Sequence, residues 1–156
     1  MEVKNLRQVL PGLRTAEHIM NIMDEIRVTR LVMPHSRDSL RIYIECPFLI
    51  PKKDIYVLEA AIKKQFFDQK EVTIRIIETF RLKDKPLSET LDQYRDSILL
   101  ELKNYHLIVY NMFRAARIHL EEGEHILVLE AEDSFINRSH SQELCRVLEK
   151  ILVERM

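Results

Sequence analysis

From Arg27 to Arg81 the apolar pattern reads strand, strand, helix, strand, whereas from Arg117 to Met156 it begins the same way and stops after the helix. A two-stranded hairpin with one helix is a marginal unit, because it offers too little apolar area to close a core. The pattern therefore predicts two lobes of unequal completeness. The second either borrows its missing strand or is cut from something longer.

In the first lobe, Leu6, Val9, Leu10 and Leu13, then Ile19, Ile22, Met23 and Ile26, recur at helical spacing around Pro11-Gly12. Two short helices are expected there, covering one face of the elements after residue 26. Val28–Met33 and Leu40–Cys46 read as strands joined by turn-forming residues 34–39. Leu40, Ile42, Ile44 and Cys46 share one face, and Arg41, Tyr43 and Glu45 the other. With Val32, Ile42 and Ile44 inward, Arg30 and Arg41 are expected outward. Ile55, Leu58, Ile62 and Phe66 form a helical stripe opened by Pro51, and Val72, Ile74 and Ile76 alternate with Thr73 and Arg75 in a third strand. The result is a ββαβ core preceded by short helices, spanning residues 1–82.

Residues 83–156 open with a long helical region. Leu87, Leu91, Tyr94, Ile98 and Leu102 share a face, and the phase shifts near Asn104-Tyr105-His106, where a break is expected. Ile118–Glu121 and Ile126–Ala131 flank Glu122-Gly123, read as a tight two-residue hairpin turn. Ser139 with Gln142 reads as a capping box for a closing helix through Leu144, Val147, Leu148 and Ile151. The fold class is α+β, as two small α/β lobes meeting at the polar, proline-bearing segment 81–86.

The net charge of −1 hides an asymmetry. Residues 27–85 hold thirteen Lys or Arg against eight Asp or Glu, and residues 86–156 hold eight against thirteen. Two readings stay open: a basic surface aimed at nucleic acid or an acidic partner, or two halves that attract each other. No apolar run approaches the ~18 residues of a membrane helix. The first nine residues carry Glu2, Lys4 and Arg7 rather than a signal-peptide stretch, so a cytoplasmic location is expected. Cys46 and Cys145, far apart and without CxxC spacing, read as free thiols.

With only Gly12 and Gly123, the chain can form no glycine-rich phosphate loop. The six histidines show no HxH or HExxH pattern, and a two-residue hairpin turn would put His119 and His125 on opposite sheet faces. There is no GxSxG elbow, and the acids around residues 121–124 and 130–133 read as solvated turn charge. No catalytic, cofactor-binding or metal residue is assigned. The candidate partner-binding set is Arg27, Arg30, Arg37, Arg41 and Tyr43 on the first hairpin with Lys52 and Lys53 opening the helix beside it, a set able to track a phosphate backbone or to line a solvated outer face.

The runs Leu40-Arg-Ile-Tyr-Ile-Glu45, Lys53-Asp-Ile-Tyr-Val-Leu-Glu-Ala-Ala-Ile-Lys63, Val72-Thr-Ile-Arg-Ile76, Tyr94-Arg-Asp-Ser-Ile-Leu-Leu-Glu-Leu102 and Leu148-Glu-Lys-Ile-Leu152 resemble the N-terminal region of PolC-type DNA polymerase III α subunits, of the Gram-positive, clostridial type. The resemblance implies a first N-terminal domain over residues 1–82 that contacts the clamp-loader τ subunit. From residue 83 it implies the start of a type II KH-like domain, truncated at 156 and lacking the GxxG clamp. The family's polymerase and 3′–5′ exonuclease regions would lie beyond residue 156, so the enzyme activity belongs to the parent and no catalytic residue is carried over. The expected role is replisome tethering. The alternative is a nucleic-acid-binding accessory module around Arg30 and Arg41 with weak single-stranded DNA contact. Self-association through the exposed strand edge of the truncated lobe is also expected.

Overall fold

The computed structural model describes residues 2–83, 85–121 and 126–156. The chain divides into two compact units, Met1–Lys83 with Arg155–Met156, and Asp84–Glu154. It is an α+β protein.

The first unit is built on a four-stranded sheet in the order β1-β2-β3-β4, with β1 Lys4–Asn5, β2 Arg27–Val32, β3 Ser39–Cys46 and β4 Thr73–Phe80. The first two pairings are antiparallel and the β3–β4 pairing is parallel, as the crossover helix α3 (Lys52–Phe66) requires. The ββαβ core thus follows the apolar pattern. The two-residue β1 was not foreseen, because Asn5 has a second role. Its side chain accepts the Gln8 N–H while the Gln8 side chain accepts the Asn5 N–H, both at 2.9 Å, a reciprocal cap that starts α1 (Leu6–Val9). Gly12 turns the chain at φ 87°, and α2 (Glu17–Met20) and a 3₁₀ turn (Met23–Glu25) come next.

One face of this sheet is the core. Ile42, Ile44, Cys46, Ile74, Ile76 and Phe80 are buried, as are Leu6, Leu13, Ile19, Met23 and Ile26 from the N-terminal elements and Ile55, Leu58 and Ile62 from α3. Phe66, expected to complete the α3 stripe, stays 40% exposed at the helix end. The alternation of β4 runs on past Ile76 and carries Glu78 into the core, where it is fully buried. A lone carboxylate there would be prohibitive, and it is paired: Lys52 Nζ lies at 2.9 Å and Arg155 Nε at 3.0 Å from Glu78 Oε1.

The second unit holds α4 (Leu87–Tyr105), α5 (Leu107–Ala115), the antiparallel pair β5 (Arg117–Leu120) and β6 (Leu127–Glu130), and most of α6 (Phe135–Arg155). The α4–α5 break falls at His106, as the phase shift predicts. His106 Nδ1 accepts the Ile108 N–H at 3.3 Å and starts α5, and its ring stacks on that of His140 with centroids 5.8 Å apart. Glu143 gathers the Tyr105 hydroxyl and His140 Nδ1, each at 3.2 Å. The His140 hydrogen bond holds the Glu143 carboxyl below its usual range. His106 and His140 therefore join helices rather than decorate a surface.

Two local expectations change here. The strand register pairs His119 with Val128 and Leu120 with Leu127, two residues away from the register of a two-residue turn, so six residues, 121–126, separate the strands. Of these, residues 122–125, which include the expected turn glycine and His125, lie outside the described residues. The closing helix starts at Phe135, with Ser134 Oγ accepting the Asn137 N–H at 3.1 Å, and Ser139 sits inside it, donating to the Phe135 carbonyl. The start was displaced because Phe135 and Ile136 are exposed and do not mark a buried helical stripe.

Candidate functional site

The outer face of the first sheet is set by one irregularity. Val28 pairs with Ile44 facing the core, but Arg30 pairs with Tyr43, so the register slips by one residue at Thr29. Such a bulge inverts the alternation beyond it. Arg30 and Val32 consequently share the face of Tyr43 and Arg41, while Leu31 falls on the core side opposite Ile42 and is half exposed at the sheet margin. Arg30 and Arg41 are outward, as expected. Val32, expected inward, is outward too, because two residues two apart in one strand share a face.

The parallel pairing extends the face across β4. Arg41 lies opposite Arg75, Tyr43 opposite Ile77 and Glu45 opposite Thr79. The outer face therefore carries Arg27, Arg30, Arg41 and Arg75, all exposed, around a half-buried Tyr43. The Arg30 guanidinium lies 4.7 Å from the centroid of the Tyr43 ring, a cation–π contact. Glu45, the acid of this face, is engaged at 3.4 Å by Arg81. Among the described residues, no carboxylate forms an ion pair with Arg30, Arg41 or Arg75.

The remaining sequence candidates separate. Arg37 is exposed in the β2–β3 connection at φ 54°, a left-handed conformation uncommon outside glycine. Lys53 is exposed on α3, the helix whose apolar stripe packs on the opposite, core side of the sheet. Lys52 leaves the set: it is 4% exposed and held by Glu78. Its position at the start of an amphipathic helix looked like a basic rim, but the helix turns that position inward. Arg75 was the residue missed. Its alternation with Ile74 was legible, and only the strand order brings it beside Arg41.

Besides Glu78 and its partners, Glu59 and Cys46 lie on the core side. Burial pushes the Glu59 carboxyl up to about 7, against the opposing pull of Lys52 and a hydrogen bond from the Ile76 N–H. Burial likewise pushes the Cys46 thiol up to about 11, and its Sγ donates to the Phe48 carbonyl. Cys46 and Cys145 are both free. Among the described residues no cluster of three His, Cys, Asp or Glu is arranged to hold a metal, and no helix is long and apolar enough to cross a membrane.

Residues 5–76, which contain the four arginines and Tyr43 of this face, match the family model of the DNA polymerase III polC-type N-terminus I. No curated protein and no solved structure matches the chain. Over residues 5–76 the chain is thus similar to the polC-type N-terminus I domain of DNA polymerase III, a likeness that supports a role in DNA replication.

Proposed function

We propose that the first unit is a protein-docking module that tethers a PolC-type polymerase in the replisome, with the clamp-loader τ subunit as its partner and the outward face of the first hairpin as its contact surface. The observation that carries this reading is the row of exposed arginines that form no ion pair among the described residues, lying inside the family-matched segment. A folded domain gains no stability from like charges set side by side, so such a row is explained by a partner. Polymerase and exonuclease chemistry belongs to the parent protein, and the cytoplasm is where that parent works.

The test is capture of τ by the full chain. Arg41→Glu weakens capture and shifts unfolding free energy by less than about 0.5 kcal/mol, as exposed substitutions do. A large loss of stability would show that Arg41 is structural, and undiminished capture would remove the hairpin from the interface.

For the second unit we propose a type II KH-like ancestry, supported by its helix–strand–strand–helix order, and self-association through the open edges of its two-stranded sheet. Sedimentation over a concentration series tests the latter: the mass rises with concentration, and a constant monomer mass rejects it.

A further inference from the structure

The outer face favours one kind of partner over the other. We infer that it receives an acidic protein segment whose carboxylates are interspersed with apolar residues, and that Arg75 of β4 is a principal contact together with Arg41 and Arg30. The inference rests on the docking reading above and specifies the chemistry of that same surface.

Arg41 and Arg75 are direct neighbours in the β3–β4 register, on strands about 4.8 Å apart. Two like charges placed so repel each other; Glu45 is engaged by Arg81, and Glu59, which feels the charge of Arg75, is held toward its neutral form by burial. A carboxylate lying over the pair relieves the repulsion, and guanidinium is the donor best shaped for carboxylate. Val32 beside Arg41 and Ile77 beside Tyr43 are half-buried apolar residues on the same face, which suit apolar side chains between the acids.

A single-stranded nucleic acid would be held differently. Binders of that class rely on aromatic faces open to stacking bases. Tyr43 is the aromatic residue of this face, and the Arg30 guanidinium already covers its ring. Opposite it lies Ile77, and Val32 and Thr79 are diagonal neighbours on the same face. The face offers charge without a stacking platform.

Fluorescence anisotropy on the full chain decides it, with three labelled probes: a glutamate-rich peptide interspersed with leucine, the same peptide with glutamine for glutamate, and oligothymidylate. The acidic peptide binds, more weakly as salt rises, and the glutamine peptide does not. Arg41→Glu combined with Arg75→Glu weakens the acidic peptide at least about tenfold while the melting temperature stays unchanged. Tighter binding of oligothymidylate than of the acidic peptide, or equal acidic-peptide binding by the double variant, overturns the inference. Capture of τ is run in parallel. Peptide binding through Arg41 and Arg75 without capture of τ by the unmodified chain removes τ and keeps the surface chemistry. Capture of τ undiminished in the double variant, with no peptide binding, removes the surface and keeps the tether.

Discussion

The two sheets of this protein start from similar hairpins and reach different ends. In the first unit β3 lies between two neighbours, and Ile42, Ile44 and Ile76 beside it are 1–2% exposed. In the second unit β5 and β6 pair only with each other among the described residues, and Ile118, Leu120, Leu127, Val128 and Leu129 all remain partly exposed. Leu91, Ile98, Ile118, Leu120, Leu127 and Leu148 line a cavity of about 290 Å³ there. The difference is one crossover strand. β4 arrives with α3 and closes the first core against a helix, whereas α6 comes after β6 with no strand beyond it among the described residues. Sheet stability is thus a property of neighbours more than of strand sequence.

The largest expected effect sits in the closed core. Glu78→Ala leaves Lys52 and Arg155 buried without their shared carboxylate and lowers stability by about 3–5 kcal/mol in urea unfolding. A loss under about 1 kcal/mol would mean that this core is as open as the second. Next comes a matched pair of truncations. Ile42→Ala removes about 2–5 kcal/mol, because the site cannot collapse around the lost atoms. Leu127→Ala, in the half-exposed hairpin, removes about 1 kcal/mol. Equal losses would erase the contrast.

The smallest effect is a pH dependence. Glu59 has a folded-state pKa of about 7 against an ordinary 4.5, so the folded first unit favours its protonated form. Below about 4.5 the group is protonated in both states and is neutral to stability. As pH rises toward 7 the unfolded chain ionises first, and the contribution of this group to stability falls. Glu59→Gln, which retains an acceptor for the Ile76 N–H, flattens stability across that window. An unchanged slope in the variant would assign the pH dependence to other groups.

The residues that were legible and those that were not divide along the same line. The ββαβ order, the inward Ile42 and Ile44 and the break at His106 come from periodicity, which is local. The bulge at Thr29 was illegible because nothing in Arg27-Val-Thr-Arg-Leu-Val32 distinguishes a slipped register from a regular one. Lys52 and Glu78 were illegible because a buried charge is readable only with its partner, and theirs lie 26 residues apart and farther. Arg75 needed the strand order to meet Arg41. The hairpin register in the second unit depended on residues 121–126, where a glycine beside charge fits more than one loop length. Ser134 and Ser139 are both competent caps, and the exposed Phe135 gave no apolar stripe by which to choose.

Hydrogen exchange, read residue by residue on the full chain, tests most directly whether the first unit is closed and the second open. Amides of β3 and β4, from Ile42 to Ile44 and from Ile74 to Ile76, exchange slowest, near the limit of global unfolding, while those of Ile118–Leu120 and Leu127–Leu129 exchange through local opening at far lower free energy. Hairpin amides protected as strongly as those of β3 would contradict the account.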